Sequence, residues 1–242
     1  MPTARRPPGL RYGVIADVHA NIHALDAVLA ALERAGVDRI VCAGDVVGYG
    51  PRPNECVERI AGLNACVVAG NHDLIAIGRL PADGLGPLPA RTLEWTAGVL
   101  GADARAWLEE LPLRARTEEG VVVAHGSPDD PSEYVRDCSV LSRLGDGDRG
   151  LILGHTHEPL QCEAGGRRLF NPGSVGQSRE RRPVARALVL DSEGLESRFL
   201  ALDYDVRATQ SELREAGLPA AACHLAPGRA ARLARKLTAI RP

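Results

Sequence analysis

Short apolar runs recur along the first two thirds of the chain, and each ends in a polar motif. The clearest runs are Val14-Ile15-Ala16, Ile40-Val41-Cys42-Ala43, Val67-Val68-Ala69, Val121-Val122-Val123-Ala124 and Leu151-Ile152-Leu153. β-Branched runs of this length are typical of strands that are buried on both faces. Ligand sites in open α/β sheets lie beyond the carboxyl ends of the strands. The polar motifs that follow the runs are therefore predicted to converge in space.

The first third of the chain alternates predicted strands and helices. Strands are predicted over residues 11–16, 39–43 and 66–69, with helices over about 21–35 and 54–60. Gly36 follows the first helix at the position where a terminating glycine is common. This βαβαβ order predicts a parallel sheet with right-handed crossovers.

The last third has the pattern of antiparallel hairpins with glycine-containing turns. The paired runs are 113–117 with 121–124, 160–164 with 167–170, and 184–190 with 196–201. Parallel and antiparallel strands in one chain of this size suggest two packed sheets with helices outside. Beyond Asp203 the chain is predicted to be helical, with Leu213, Leu225, Leu233 and Leu237 as packing residues.

Residues 80–111 interrupt this regular order. A loop rich in proline and glycine leads into predicted helices that carry Trp95 and Trp107. Large aromatics in a helical pattern usually pack in a core, so we interpret both as packing residues of a helical cap. The predicted organisation is a disordered tail over residues 1–10 and a single domain over 11–242, with the cap at about 80–111.

Composition and charge exclude several classes of partner. Of 242 residues, 45% are hydrophobic, 25% are charged and only 3% are aromatic, and the formal net charge is -2. This balance disfavours an extended nucleic-acid polymer or a membrane surface as a partner. No run approaches the roughly 18 apolar residues of a membrane span, and no apolar segment follows the basic N-terminus as in a secretory signal. Five basic residues near the C-terminus, Arg229 to Arg241, are interpreted as a solvated helix face in preference to a phosphate-binding patch.

Six cysteines show no CxxC pairing: Cys42, Cys56, Cys66, Cys138, Cys162 and Cys223. We interpret all six as reduced thiols in a reducing compartment, not as a disulfide framework. The predicted location is cytoplasmic.

The polar motifs contain the ligand types of a binuclear metal site. Asp17 and Asp45 offer carboxylates, Asn71 offers an amide oxygen, and the imidazoles are His19, His125, His155 and His157. One carboxylate can bridge two divalent ions while the other ligands hold each side. No thiolate is needed, which disfavours a structural zinc site. The set accommodates Mn, Fe, Zn, Co or Ni, and we expect two divalent ions per chain, with Mn as the first choice.

The order Asp-x-His, Gly-Asp, Gly-Asn-His-Asp, His and Gly-His-Thr-His resembles the calcineurin-like metallophosphoesterase superfamily over residues 12–177. The segments 46–51 and 171–177 resemble its small bacterial and archaeal phosphodiesterase branch. This resemblance implies an α/β fold, a four-layer αββα double β-sandwich of two mixed sheets flanked by helices. It also implies phosphoester hydrolysis by attack of a metal-bridging hydroxide.

The resemblance also implies a division of the ligands between the two ions. One ion takes Asp17, His19, His157 and the bridging Asp45, and the other takes Asp45, Asn71, His125 and His155. His72 is the predicted general acid for the leaving alkoxide, with Asp73 orienting its ring and raising its pKa. The alternatives for His72 are a further metal ligand or a packing residue.

Four residues in or near the motifs are candidates for substrate contacts, and His72 is one of them. Asn21 begins the first helix and can cap it, contact a phosphate oxygen, or do both. Tyr49 follows Asp45 closely enough to line the cleft. There it could stack on a base, hydrogen-bond to an ester oxygen, or have only a structural role in the loop. Arg179 is a weaker candidate.

The predicted function is hydrolysis of small phosphodiesters, cyclic nucleotides among them. The ligand motifs contain neither Lys nor Arg, so the metals would neutralise most of the substrate charge, which suits a monoanionic diester. Phosphomonoesterase or protein phosphatase is the alternative within enzymes, and a catalytically weak binding scaffold is the alternative of another class. The sequence leaves open whether the chain also forms a homo-oligomer.

Overall fold

The computed structural model describes residues 9–226, so residues 1–8 and 227–242 lie outside it. The predicted N-terminal tail falls almost wholly outside the described residues. The basic stretch from Arg229 to Arg241 and the predicted packing residues Leu233 and Leu237 also fall there.

The first five-stranded sheet is built from both ends of the described chain. Its order is β10 (Ser197–Leu202), β9 (Ala185–Asp191), β1 (Arg11–Ile15), β2 (Arg39–Cys42) and β3 (Ala65–Val67). The strands β1, β2 and β3 run parallel, with Val14 opposite Val41, whereas β9 and β10 are antiparallel to their neighbours. The parallel part confirms the predicted βαβαβ order, whose crossovers are α1 (Ile22–Arg34) and α2 (Pro53–Ala61).

The second sheet also has five strands and is also mixed. Its order is β4 (Arg114–Arg116), β5 (Val121–Ala124), β6 (Gly150–Ile152), β8 (Arg167–Asn171) and β7 (Leu160–Ala164). The three inner strands are parallel and the two outer strands are antiparallel to them. The predicted architecture of two packed mixed sheets flanked by helices is confirmed.

Alternating side chains of the strands divide the core into layers, because successive residues point to opposite faces of a sheet. Val14 and Val41 from the first sheet meet Val123, Ile152 and Phe170 from the second in a buried layer between the sheets. On the outer face of the first sheet, α1 and α2 cover a second apolar layer. The outer face of the second sheet packs against residues 135–144, which include a short 3-10 helix, Cys138–Arg143.

Within the described part of the chain, four further α-helices lie outside the sheets. They are α3 (Asn71–Ala76), α4 (Pro87–Val99), α5 (Ala102–Glu110) and α6 (Val206–Glu215). The helices α4 and α5 occupy the segment predicted to be helical around Trp95 and Trp107. Both tryptophans are partly buried against apolar clusters, as expected of packing residues. Helix α3 was not predicted, because six residues are too short to show a helical period.

The interpretation of all six cysteines as reduced thiols is wrong. Cys138 and Cys162 form a disulfide that joins the 3-10 helix to β7, with the Cα atoms 5.9 Å apart. The residues are 24 positions apart in the chain, and only the packing of residues 135–144 on the second sheet brings them together. The remaining cysteines, Cys42, Cys56, Cys66 and Cys223, are free. The argument for a reducing compartment from six free thiols therefore no longer applies.

Within residues 9–226, no helix has the length and apolar character needed to cross a bilayer.

Candidate metal centre

The loops that leave the carboxyl ends of the inner strands meet at one edge of the sandwich. Two of them pair directly: the Asp17 amide donates to the Gly44 carbonyl at 3.0 Å, and the His19 amide donates to the Asp45 carbonyl at 2.9 Å. In the loops of the second sheet, the Gly154 amide donates to the His125 carbonyl at 2.9 Å, and the Gly176 amide donates to the Asp17 carbonyl of the first sheet at 3.0 Å. Backbone hydrogen bonds thus hold motifs from distant parts of the chain in one place, as the sequence predicts.

Several metal-ligand candidates have left-handed backbone conformations. The φ angles are 54° at Asp17, 48° at His19, 55° at Asp45, 67° at His155 and 61° at His157. Such φ values are uncommon for residues other than glycine and cost of order 1–3 kcal/mol each. Five in one cluster indicate that the surrounding hydrogen bonds impose this geometry and that the side chains are preorganised.

Two glycines are required where backbone approaches the cluster. A Cβ at Gly70 would lie 2.0 Å from Asp45 Oδ1, and a Cβ at Gly48 would lie 2.5 Å from His72 Nδ1. Gly48 also has a φ of 90°. The glycines of the Gly-Asn-His-Asp and Gly-Tyr-Gly-Pro segments therefore make room for the site.

The first group of ligand atoms comes from Asp17, His19 and His157. Nε2 of His19 lies 3.0 Å from Nε2 of His157. Asp17 Oδ1 lies 3.9 Å from His19 Nε2 and 3.6 Å from His157 Nε2. All three side chains are buried, and their ligand atoms are close enough together to hold one metal ion.

The second group comes from Asp45, His125, His155 and Asn71. Asp45 Oδ2 lies 3.2 Å from His125 Nε2 and 3.7 Å from His19 Nε2, so this carboxylate stands between the two groups. Asn71 Oδ1 lies 3.1 Å from His125 Nε2 and 2.9 Å from His155 Nδ1. The structure therefore brings all seven predicted ligands into one cluster.

Hydrogen bonds to backbone carbonyls determine the tautomers of three imidazoles. Nδ1 faces the Val47 carbonyl in His19 (3.2 Å), the Ala43 carbonyl in His125 (2.6 Å) and the Gln177 carbonyl in His157 (2.7 Å). A carbonyl oxygen can only accept, so Nδ1 carries a proton in all three rings, and Nε2 presents a lone pair to the cluster whenever the ring is neutral. Lone pairs on ring nitrogens are what a metal ion needs.

Burial and charge give the cluster a strong preference for a cation. Burial, together with the neighbouring Asp45, raises the pKa of Asp17 to about 7. Burial lowers the pKa of His19 and of His157 below the ordinary range, so these rings are neutral. Burial also opposes the charged form of His125, but Asp45 and Asp17 outweigh it and raise the pKa of His125 to about 9. The two buried carboxylates thus attract positive charge.

The residues fit a divalent metal. Among the described residues, Asp17 Oδ2 is a buried carboxylate oxygen with no hydrogen-bond partner. His19 Nε2 and His157 Nε2 are two lone-pair acceptors at 3.0 Å, a contact that repels unless a cation lies beside both. The donor set is imidazole, carboxylate and amide oxygen without thiolate, which suits first-row divalent ions.

The 171–177 segment supports the ligand loops from behind. Ser174 Oγ donates to the Asp17 carbonyl at 2.8 Å, and Asn171 Nδ2 donates to the Gly154 carbonyl at 2.6 Å. The Gln177 carbonyl accepts from His157, as described above. We did not predict positioning roles for these residues. The only signal in the sequence was the Asn-Pro-Gly-Ser motif itself, which does not show its partners.

The predicted orientation of His72 by Asp73 is wrong. Asp73 is buried and accepts the Val47 amide at 3.0 Å with Oδ1 and the Gly70 amide at 2.9 Å with Oδ2. His72 Nδ1 has no partner among the described residues, and burial lowers the pKa of His72 below its ordinary value. Adjacent residues on a helix point in different directions, so Asp73 fastens the loop before α3 instead.

His72 itself lies at the cluster. Its backbone amide donates to Asp45 Oδ1 at 2.8 Å. Its ring stacks on Tyr49 with centroids 4.9 Å apart and also contacts the edge of His19 at 4.8 Å. A ring nitrogen of His72 also lies close enough to His19 and Asp45 to hold a metal ion with them. The position of His72 is therefore compatible with either predicted role, general acid or further metal ligand.

Asn21 is a structural residue, and its predicted contact with substrate is wrong. Its Oδ1 accepts the Ala24 amide at 3.2 Å, which caps α1 as predicted, and accepts the Thr209 hydroxyl at 3.1 Å. Its Nδ2 donates to the Gly176 carbonyl at 2.9 Å. The side chain is fully buried and does not line the cavity. Both the oxygen and the nitrogen of the side-chain amide are therefore hydrogen-bonded to protein groups.

A cavity of about 260 Å³ opens onto the cluster. Tyr49, His72 and Arg179 line it, with Ser132 and Tyr134 from the loop before the 3-10 helix. Tyr49 is almost fully buried, and burial raises its pKa to about 12. We did not predict Ser132 and Tyr134. The chain has few aromatic residues, and the occurrence of one in a loop was the available sequence signal for Tyr134.

Arg179 is the cationic side chain of this cavity among the described residues. Its Nε is buried and has no hydrogen-bond partner. Its charge lowers the pKa of the nearby His155 and His157 in addition to the larger effect of burial. A guanidinium without a protein partner in a cleft is available to an anion.

Comparison with known proteins agrees with this geometry. A family model described as the calcineurin-like phosphoesterase superfamily domain matches residues 10–194. The chain belongs to this superfamily. Membership implies phosphoester hydrolysis with divalent metals, and the clustered Asp and His side chains are the ligands that such chemistry needs.

Individual relatives of this calcineurin-like phosphoesterase cover most of its length. MJ0912, an uncharacterised protein of Methanocaldococcus jannaschii, is 32% identical over 226 residues, which span 85% of this chain and 93% of that protein. The crystal structure of a metallophosphoesterase from Sphaerobacter thermophilus is 35% identical and has a TM-score of 0.77, with 89% of this chain and 97% of that chain covered. A shorter match, 36% identical over 95 residues, is the symmetrical bis(5'-nucleosyl)-tetraphosphatase of Nitrosococcus oceani; it covers 36% of this chain and 33% of that protein.

Proposed function

We propose that this calcineurin-like phosphoesterase is a phosphodiesterase that uses two divalent metal ions and acts on small diesters. The observation that carries the proposal is the position of Asp45, whose Oδ2 lies 3.2 Å from His125 and 3.7 Å from His19. A carboxylate placed between two ligand groups is what a bridged pair of ions requires. The first ion would take Asp17, His19, His157 and Asp45, and the second Asp45, Asn71, His125 and His155. Manganese is the ion we would test first.

When bound, the ions would supply a nucleophile at neutral pH and neutralise charge on the phosphoryl group. Side chains of the protein would bind the phosphoryl group and donate the proton. Arg179 would bind a non-bridging phosphoryl oxygen, because its guanidinium lines the cavity and its buried Nε has no hydrogen-bond partner among the described residues. In its protonated form, His72 would give a proton to the leaving oxygen and become neutral, and Tyr49 would hold the His72 ring by stacking.

The charge of the cavity supports a diester. A diester carries one negative charge, whereas a monoester carries close to two at neutral pH. Besides the metal ligands and His72, the described cavity has one guanidinium, Arg179, and one carboxylate, Asp83. These two charges cancel, so the cavity outside the metal site adds no net positive charge to hold a dianion, which suits the monoanion better. We further propose that residues 80–111 cap the cleft, since Leu80, Leu85 and Pro89 contribute to its wall.

The test is a substrate panel with metal-depleted and reconstituted protein. Hydrolysis of bis-p-nitrophenyl phosphate should vanish on depletion and return with Mn²⁺, or with Fe²⁺, Zn²⁺, Co²⁺ or Ni²⁺. At matched pH and metal, kcat/KM should be higher for this diester than for p-nitrophenyl phosphate. A clear preference for the monoester would make the protein a phosphatase. Full activity without metal would refute the metal assignment, and no turnover of either substrate with bound metal would favour a binding scaffold.

A further inference from the structure

Tyr134 is an exposed aromatic at the mouth of the metal cavity. Among the described residues, the exposed large apolar side chains are Val99, Leu113 and Tyr134, and of these only Tyr134 lines the cavity. Its side chain is 52% exposed. Its ring centroid lies 4.2 Å from that of the ligand candidate His155, with the planes tilted by 52°. The Arg136 guanidinium lies over the ring at 5.8 Å from its centroid, yet half of the side chain stays exposed, so the described residues leave part of its apolar surface uncovered.

The segment that carries Tyr134 is held in place on both sides. Before it, Glu133 forms two hydrogen bonds with Arg143, at 2.6 and 2.8 Å. After it, Val135 is buried against the second sheet, and Cys138 follows with its disulfide to Cys162. The ring is therefore presented by an ordered backbone although it is exposed. A rigid aromatic loses little conformational entropy when a ligand stacks on it.

The same cavity has a second apolar surface. Ile75, Leu80, Pro81, Leu85 and Pro89 line it. Phosphate oxygens make no favourable contacts with aliphatic side chains. These side chains and Tyr134 therefore point to an organic group attached to the phosphate. The polar part of the cavity, with Arg179 and the metal ligands, then faces the phosphoryl group.

We infer that Tyr134 is a specificity residue that stacks on an aromatic group of the substrate, such as a nucleobase, carried by the ester group that stays on phosphorus. The inference rests on the proposed phosphodiesterase function and names the substrate class of that site. Stacking of a base on an aromatic side chain is tolerant of sequence and strong enough to select such substrates. The competing explanation is that Tyr134 only shields His155 from water.

The experiment compares two diesters with the same leaving group and the same charge. Thymidine 5′-p-nitrophenyl phosphate retains a nucleoside on phosphorus, and methyl p-nitrophenyl phosphate retains a methyl group. The ratio of their kcat/KM values measures recognition of the retained group, because chemistry at the leaving oxygen is shared. We expect this ratio to favour the nucleoside in the wild-type protein with Mn²⁺.

Tyr134→Ala should lower the ratio by about fivefold to a hundredfold, the effect expected for loss of one stacked base. Tyr134→Phe keeps the ring and should keep the ratio. Leu113→Ala is the matched control, because Leu113 is 53% exposed but does not line the cavity, and it should also keep the ratio. An equal loss on both substrates in Tyr134→Ala, or loss of bound metal by elemental analysis, would mean that the ring only supports His155 and would overturn the inference.

Binding provides a second readout that does not depend on turnover. Calorimetric titration of metal-loaded protein with thymidine monophosphate should show weaker affinity in Tyr134→Ala than in Tyr134→Phe, whereas methyl phosphate should not distinguish the two. Equal affinities for thymidine monophosphate would overturn the inference. If the wild-type protein hydrolyses neither diester, the proposed function fails, and this titration still decides the role of Tyr134. If it hydrolyses both and the ratio is the same in all variants, only the inference fails.

Discussion

Nε2 of His19 and Nε2 of His157 lie 3.0 Å apart although neither has a proton to share. Each ring donates from Nδ1 to a backbone carbonyl, that of Val47 or of Gln177. Both rings are buried, and burial lowers the pKa of each, so protonation does not relieve the contact. The fold thus holds two lone pairs together in a position that only a bound cation makes favourable.

Metal removal should therefore destabilise the fold. A ligand that binds only the native state at a free concentration 100 times its Kd stabilises by about 2.7 kcal/mol, so Mn²⁺ should raise the Tm of depleted protein in a concentration-dependent way. Asp45→Asn should lose most of this response, because Asp45 serves both ligand groups. Asp83→Asn, in an exposed residue of the same cavity, should retain it. A Tm that is independent of metal in the wild-type protein would contradict the prediction, as would a full response in Asp45→Asn.

His72→Ala should keep the bound metal but lose turnover by roughly 10²–10⁴-fold, if His72 is the general acid. The loss should be larger for diesters with poor leaving groups than for nitrophenyl diesters, whose leaving group scarcely needs a proton. Steady-state kinetics on both types and elemental analysis check this. Equal losses on both would indicate phosphate binding. Loss of one ion would make His72 a ligand with His19 and Asp45, the third ligand group of the cluster.

Asn21→Ala should destabilise the protein by about 2–3 kcal/mol without raising KM, since the change removes a helix cap and leaves buried groups unpaired. Urea unfolding and steady-state kinetics measure the two effects. Thr209→Val removes only one of the hydrogen bonds of Asn21, from the Thr209 hydroxyl, and should cost less. A raised KM with unchanged stability would restore Asn21 as a substrate contact.

Cys162→Ser should lower stability by about 3 kcal/mol, the loss expected on the chain-entropy model for a disulfide that closes a loop of this length. Calorimetry with and without reductant measures it. Reductant should lower the Tm of the wild-type protein toward that of Cys162→Ser and should not change the Tm of the variant. Cys66→Ser, in a free and half-buried cysteine, should respond to reductant like the wild type. A wild-type Tm that reductant leaves unchanged would mean that the Cys138–Cys162 bond does not stabilise the protein.

The amino-acid sequence by itself determined the order of strands along the chain and the candidate metal ligands. Apolar runs such as Val121 to Ala124 end at the same edge of a parallel sheet, so a polar residue after each run, such as His125, must lie at that edge. This argument needs only local patterns and the direction of the strands. It therefore located all seven candidate ligands, from Asp17 to His157, without knowledge of any contact between them.

Only the tertiary structure decided which partner each polar side chain takes. Asn21 bonds to Thr209, 188 positions away, and Asp73 bonds to the Val47 amide, 26 positions away. Cys138 meets Cys162 only because residues 135–144 pack on the second sheet. The exposed position of Tyr134 likewise depends on the Cys138–Cys162 disulfide and on the Glu133–Arg143 ion pair, which hold its segment. Hydrogen bonds, disulfides and exposure depend on distances between chain segments, and a residue pattern along one segment contains no such distances.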